Sequence, residues 1–209
     1  MPEEAPSGTL SSCGDRFSGF QEGTTRMQEK LTQEPRQTPS LADILAEAHG
    51  FHRTFQSVLM ATAAGDGRPH ASYAPYIEDD EGCFYVFLSE LAAHTRNLLQ
   101  DPRVSLLFIE EESVMKQVFA RKRVTYEGIA QEIPRDDPAF GPRLDQMTER
   151  HGAIVGMLRN LRDFHLFRIT PDKATYVRGF GEAFTLEGSD LQAIRWMGER
   201  GHQSLDEPL

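Results

Sequence analysis

A chain of 209 residues, 39% of them hydrophobic, holds enough apolar material for one domain with appendages. Its 32 acidic residues outnumber 22 basic ones, giving a net charge of -10, which speaks against the basic face that nucleic acid phosphates require. Only two cysteines occur, Cys13 and Cys83, so neither a disulfide framework nor a cysteine metal cluster can be built. The N-terminus lacks a basic region followed by an apolar one, and no apolar run approaches the ~20 residues that span a bilayer, so a cytoplasmic protein with neither nucleic acid nor membrane as partner is expected.

Residues 1–39 are rich in Glu, Gln, Ser, Thr, Pro and Gly and show no sustained period. Such a segment cannot bury enough apolar surface to offset its ordering entropy, which predicts a disordered extension. Ser40 then caps a helix carrying Leu41, Ile44 and Leu45 at helical spacing, with Gly50 as its stop.

The block 58–108 organises the chain. It runs strand (VLMATAA), glycine turn, strand (HASYAPYI), acidic turn, strand (CFYVFLS), helix (ELAAHTRNLLQ) and strand (RVSLLF). Turns this short force antiparallel neighbours, since parallel pairing needs a crossover of roughly a dozen residues. In the third strand Cys83, Tyr85 and Phe87 alternate with Phe84, Val86 and Leu88. Both faces must therefore be covered, one by a barrel interior and the other by a helix or a second subunit.

Residues 112–122 are ambiguous between helix and loop. The stretch 123–133 alternates as a strand, with Val124 and Tyr126 on one side and Arg123, Thr125 and Glu127 on the other. After Pro134, Pro138 and Pro142, the residues Leu144, Met147, Ile154, Leu158 and Leu161 mark one long amphipathic helix. DFHLFRI and KATYVRGFGEAF predict two closing strands, and LQAIRWM a short helix before a polar tail ending near Gly201 and His202. The expected fold is mainly β: an antiparallel barrel of six to seven strands with peripheral helices over 40–187, followed by a helix and tail over 188–209. No Ser-His-Asp or Cys-His set, HExxH or P-loop is present, which leaves hydrolase and nucleotidase chemistry without its residues.

The segments LMATAAGDGRPHASYAPYI, FYVFLSELAAHTRNLLQDPRVSLLF and DFHLFRITPDKATYVRGFGEAF resemble the pyridoxamine-phosphate-oxidase-like split barrels. SELAAHTRNL, GFGEAF and the terminal GH narrow the resemblance to their haem-utilisation branch, the HugZ/HutZ-like proteins, over residues 41–202. The resemblance implies a homodimer that binds haem at the subunit interface and opens the macrocycle with dioxygen and electrons from an external donor, releasing iron. It implies His202 as the axial iron ligand, with Gly201 allowing close approach, and Asp163 as the carboxylate that orients the imidazole and raises its basicity. Arg123, ahead of Arg121, would pair with a propionate. Without the resemblance these residues read as a solvated tail histidine, a turn aspartate and a surface arginine.

The flavin-binding relatives hold the phosphate of FMN with an arginine on the second strand and a Ser-Arg-Lys run at the helix start. Those positions fall here on Ser72, Ala92, Ala93 and His94. Ser89, His94 and Thr95 remain around the old phosphate pocket, and Thr95, Arg96 and the helix N-terminus could still hold an anion weakly. FMN is thus the alternative cofactor, in an oxidoreductase of the parental type. A non-enzymatic haem carrier is the other rival. His151 is expected to be packed rather than ligating, and His70 and His165 have no partner that the sequence identifies.

Overall fold

The computed structural model describes residues 38–188 and 190–198. Helix α1 (Leu41–Phe51) opens on a capping box: Asp43 N donates to Ser40 Oγ at 3.2 Å, and Ser40 N to Asp43 Oδ2 at 2.9 Å. It passes Gly50 and runs into a single 3₁₀ turn, His52–Thr54. The chain continues through β1 (Ser57–Ala63), β2 (Pro69–Glu78), β3 (Phe84–Ser89), α2 (Ala93–Gln100), β4 (Arg103–Ile109) and β5 (Arg123–Ile133). Then come α3 (Phe140–His151), α4 (Ile154–Leu158), β6 (Phe164–Gly179), β7 (Glu182–Glu187) and β8 (Ala193–Trp196). Residues 112–122 form turns and one 3₁₀ turn, Val118–Ala120.

All pairings are antiparallel, in the order β3-β2-β1-β4-β5-β6-β7-β8. A further pairing of β3 with β6 closes the first six strands into a barrel. The 16 residues of β6 make this possible, because its first part pairs with β3 and its second with β7. The two strands expected at DFHLFRI and KATYVRG are therefore one, with the rest of the second run forming β7. Pro171, which lacks an amide hydrogen, sits where the register with β5 shifts, between Glu127 and Gly128. A bulge absorbs it, and the strand continues. Gly128 is required at this place: a Cβ would lie 2.4 Å from the Thr170 carbonyl oxygen.

The barrel core gathers Met60, Phe84, Val86, Leu106, Phe108, Tyr126 and Phe167, all at most 2% exposed. The opposite face of β3, with Cys83, Tyr85 and Phe87, packs under Phe140, Leu144 and Met147 of α3. The helix of the same chain thus meets the demand that the sequence left open between helix and subunit. The single long helix is corrected to two, because Gly152 adopts φ 88° after α3, a left-handed turn that stops the helix. Leu144 and Met147 stay buried, while Ile154 and Leu161 turn outward and Val155 takes the inner place.

The short helix expected over LQAIRWM is a strand, β8, paired to β7 from Phe184 opposite Trp196 to Glu187 opposite Ala193. So short a segment is a marginal helix, whereas pairing covers the open edge of β7. On the outer barrel wall, Tyr73, Leu59, Leu107 and Thr125 lie in one register row across β2, β1, β4 and β5. Tyr73 is 68% and Leu59 47% exposed.

Candidate functional site

Three of the residues singled out from the sequence meet where β3 turns into α2. Ser89 ends β3 and Asp163 immediately precedes β6, and the Phe164 to Ser89 register brings them together. Ser89 Oγ donates to Asp163 Oδ2 at 2.9 Å, and Glu90 N donates to the Asp163 carbonyl at 2.8 Å. Thr95 Oγ1 donates to the Ser89 carbonyl at 2.6 Å, which locks the turn onto the first helical residues. Below them, Asn97 Nδ2 donates to Thr62 Oγ1 at 2.9 Å in the buried contact of α2 with β1.

This junction does not fit a flavin phosphate. The Thr95 hydroxyl is spent on Ser89, and Arg96 turns back to the carbonyls of Glu90 at 2.5 Å and Leu91 at 3.1 Å. Ala92 caps α2 without a side-chain bond. The Ser72 hydroxyl, its oxygen buried and without a partner, and the first backbone N–H groups of α2 are the donors left to it. Each charge-assisted bond missing from a phosphate forfeits about 1.5–3 kcal/mol. His94 stands half-buried beside this pocket, and burial together with the neighbouring His70 pulls its imidazole below the ordinary pKa.

Arg123 lies at the other end of the barrel. It starts β5 opposite Val177, thirteen positions along β6 from Phe164, or roughly 40 Å measured along the strand. The structure therefore does not bring Arg123 and Asp163 together within one chain. Arg123 Nη1 donates to the Arg121 carbonyl at 3.0 Å. Arg121 itself is spent on the Glu110 carbonyl at 2.5 Å and on Glu112 at 3.1 Å. Beside Arg123 opens a cavity of about 390 Å³ walled by Phe119, Val177, Phe180, Trp196 and Met197. Arg123 is the one charged side chain lining it among the described residues. Phe119 and Phe180 are 81% and 72% exposed, while Trp196 Nε1 is anchored on the Gly181 carbonyl at 3.0 Å. Gly198, where the described chain ends, forms the rim of the same cavity. His202 lies outside the described residues, four positions further on, a reach of at most roughly 14 Å.

Two clusters escaped the sequence reading. His52, 1% exposed, is enclosed by the rings of Phe84, Phe108 and Tyr126. Its carbonyl accepts from Tyr76 Oη at 2.6 Å, and its Nδ1 lies 2.8 Å from Tyr126 Oη. Its Nε2 sits 2.9 Å from Glu78 Oε2, an ion-pair distance with the N–H poorly aligned for a hydrogen bond. Burial pushes the Tyr76 phenol up to about 12. Burial also works against the charge on Glu78, but His52 and Arg53 outweigh it and hold the carboxyl below its usual range. The second cluster is His165, gripped between Glu90 and Glu132 at 2.6 Å on each ring nitrogen. Its partners lie 33 and 75 residues away, beyond any local pattern. His151 is packed, with Nε2 2.9 Å from the Tyr76 carbonyl.

Asp79, Glu81 and Cys83 also converge. Tyr85 and Arg143 already occupy Asp79 Oδ2, and Arg168 holds Glu81 at 2.8 Å and Cys83 Sγ at 3.2 Å, so resident cations satisfy the cluster.

A closed six-stranded antiparallel barrel with the phosphate junction between its third strand and the following helix defines a split barrel of the pyridoxamine-phosphate-oxidase class. The family model for pyridoxamine 5'-phosphate oxidase matches residues 44–178, and the chain belongs to this family, within its haem-utilisation branch. The haem oxygenase HutZ of Vibrio cholerae is 39% identical over 159 residues, covering 76% of this chain and 89% of HutZ. A crystal structure of V. cholerae HutZ, described as a haem storage protein, superposes with a TM-score of 0.57 at 40% identity, covering 61% of this chain and 89% of the other. Campylobacter jejuni ChuZ superposes with a TM-score of 0.70 at 26% identity, covering 82% and 70%. Among the described residues no helix is long and apolar enough to cross a membrane.

Proposed function

We propose that the protein binds haem between two copies of itself and opens the macrocycle oxidatively for iron utilisation. The observation that carries this reading is the cavity at Arg123: an aromatic wall with one guanidinium, lined also by Gly198, which lies four residues before His202 in the sequence. A flat apolar macrocycle with two carboxylates suits that lining. Arg123 pairs with a propionate, the aromatic side chains cover the ring and exclude water, and His202 ligates the iron. When bound, haem supplies the site for dioxygen, with electrons coming from an external donor.

Asp163 lies too far along β6 to reach the Arg123 cavity of its own chain. Its role beside His202 therefore requires a second protomer, whose Asp163 accepts from the imidazole across the interface. The exposed row of Tyr73 and Leu59 on the barrel wall offers an apolar surface for that contact. The name of the V. cholerae relative supports the oxygenase reading, and the occupied donors at Thr95 and Arg96 argue against the flavin one.

The test is a haem titration of the full chain followed through the Soret band. His202→Ala and Arg123→Ala should each weaken binding, and His202→Ala should also change the spectrum. An unchanged spectrum in His202→Ala would refute the ligation. Adding a reductant in air should then bleach the Soret band and release iron. A band that survives favours the second reading, a haem carrier, which the storage description of the HutZ crystal structure supports.

A further inference from the structure

His165 is held on both ring nitrogens. Nδ1 lies 2.6 Å from Glu132 Oε1 on β5, and Nε2 lies 2.6 Å from Glu90 Oε1 on the turn between β3 and α2. Carboxylates only accept, so both contacts are made well only when both nitrogens carry a proton. The imidazole is 16% exposed and the carboxylates of Glu90 and Glu132 are 52% and 43% exposed. Burial opposes the charge, but Glu132 and Glu90 outweigh it and raise the imidazole above its ordinary pKa.

The place of this clasp matters more than its strength. Glu90 N donates to the Asp163 carbonyl, Ser89 Oγ donates to the Asp163 carboxylate, and Glu90 Oε1 meets His165, two residues beyond Asp163 on the same strand. The turn and the strand end are thus joined three times within four residues, and one of the three ties depends on a titratable group. Among the described residues the charged groups that bond to the ring are Glu90 from the turn and Glu132 from β5. Asp163 stands two residues before it, and Arg135 reaches the intervening Phe164 carbonyl at 3.1 Å from the loop after β5.

We propose that His165 is a pH-sensitive positioning residue: as an imidazolium bridging Glu90 and Glu132, it holds the turn after β3 against β6 and so sets where Asp163 presents its carboxylate. On losing a proton the ring keeps one N–H and can serve one carboxylate, while its other nitrogen turns a lone pair on the second. Glu90, on a turn and the more exposed of the two, is the one released. The raised pKa fixes the sign. The bracket is fully tied below the ordinary imidazole value, about 6.5, and loosens as pH rises through the higher folded value. The consequence for a histidine ligand held by Asp163 rests on the haem reading above, whereas the clasp itself does not.

The experiment uses the full chain without haem. The His165 ring is titrated by NMR, and hydrogen exchange of the Glu90 amide, which donates to Asp163, is measured on both sides of the transition with its intrinsic pH dependence removed. A His165 midpoint above about 6.5 is expected, together with a fall in Glu90 protection of roughly two- to fivefold above it, the scale of one exposed ion pair. Glu132→Gln should lower the midpoint, and His165→Gln should abolish the pH dependence of Glu90 protection. Should His165→Gln not fold, Glu132→Gln carries the test alone. A midpoint at or below the ordinary value, equal protection on both sides, or a transition that persists in His165→Gln would each overturn the proposal. In the haem-loaded chain, a pH-dependent ligand spectrum that flattens in Glu132→Gln extends the clasp to the site. Loss of the haem reading alone would leave the exchange result standing.

Discussion

Ser89 and Asp163, 74 residues apart in sequence, are joined by a 2.9 Å hydrogen bond from the serine hydroxyl to the aspartate carboxylate. The bond ties the old phosphate junction of the fold to the start of the strand that closes the barrel. Ser89→Ala removes the hydroxyl and leaves Asp163 with its backbone tie to Glu90. A stability loss of about 1 kcal/mol is expected in urea denaturation, with the fold intact. If Asp163 orients a haem ligand, the iron-histidine stretching frequency should shift in the same variant.

The guanidinium at the aromatic cavity should be replaceable only in part. Arg123→Lys keeps the charge but loses the planar fork, so haem affinity should fall less than in Arg123→Ala. A charge-assisted hydrogen bond of about 1.5–3 kcal/mol corresponds to roughly a tenfold to hundredfold change in Kd for the alanine variant, measured by Soret titration.

The exposed row on the barrel wall predicts the oligomeric state. If two copies pair through this row as proposed, Tyr73→Glu combined with Leu59→Glu, which places charge on its two exposed apolar members, should shift the protein from dimer to monomer in sedimentation velocity. Haem binding should weaken with it, because Asp163 and Arg123 then have no second chain to meet across.

Close packing of β5 on β6 leaves no room at Gly128. Gly128→Ala forces a methyl group against the Thr170 carbonyl, 2.4 Å away, and the bulge must shift to receive it. A loss of about 1–3 kcal/mol, typical of overpacking, is expected in thermal or urea unfolding.

The partly buried Glu78, beside His52 and Arg53, contributes to behaviour in acid. Burial disfavours the Glu78 charge, but His52 and Arg53 hold its folded pKa below the usual carboxylate value. Its contribution to stability is therefore complete above the unfolded value of about 4.3 and is lost as pH falls through the folded one. The melting temperature should decline below about pH 4.5, and Glu78→Gln should flatten that decline while lowering stability at neutral pH.

Much of the barrel was legible in the residues. The alternation of β3 placed Phe84, Val86 and Leu88 on one face and Cys83, Tyr85 and Phe87 on the other, and both faces are buried as that pattern requires. The losses at Ser72, Ala92 and Ala93 already pointed away from a flavin phosphate, and the occupied donors at Thr95 and Arg96 agree. Ser89 and Thr95 were selected for the pocket they border, but their bonds to Asp163 and within the turn depend on a strand pairing that no local pattern contains.

Local periodicity and turn chemistry, which depend on neighbours a few residues apart, are what the sequence by itself determined: the strands of the barrel as far as β5, the Ser40 cap and the apolar faces. The tertiary structure alone decided that LQAIRWM is a strand, because β7 offered it an edge, and that one long helix is two, because Gly152 takes a left-handed turn. It also decided that His165 sits between Glu90 and Glu132, and that Asp163 and Arg123 stand at opposite ends of β6. Such relations arise only when distant segments pair, since the free energy that sets them comes from contacts between residues far apart in sequence.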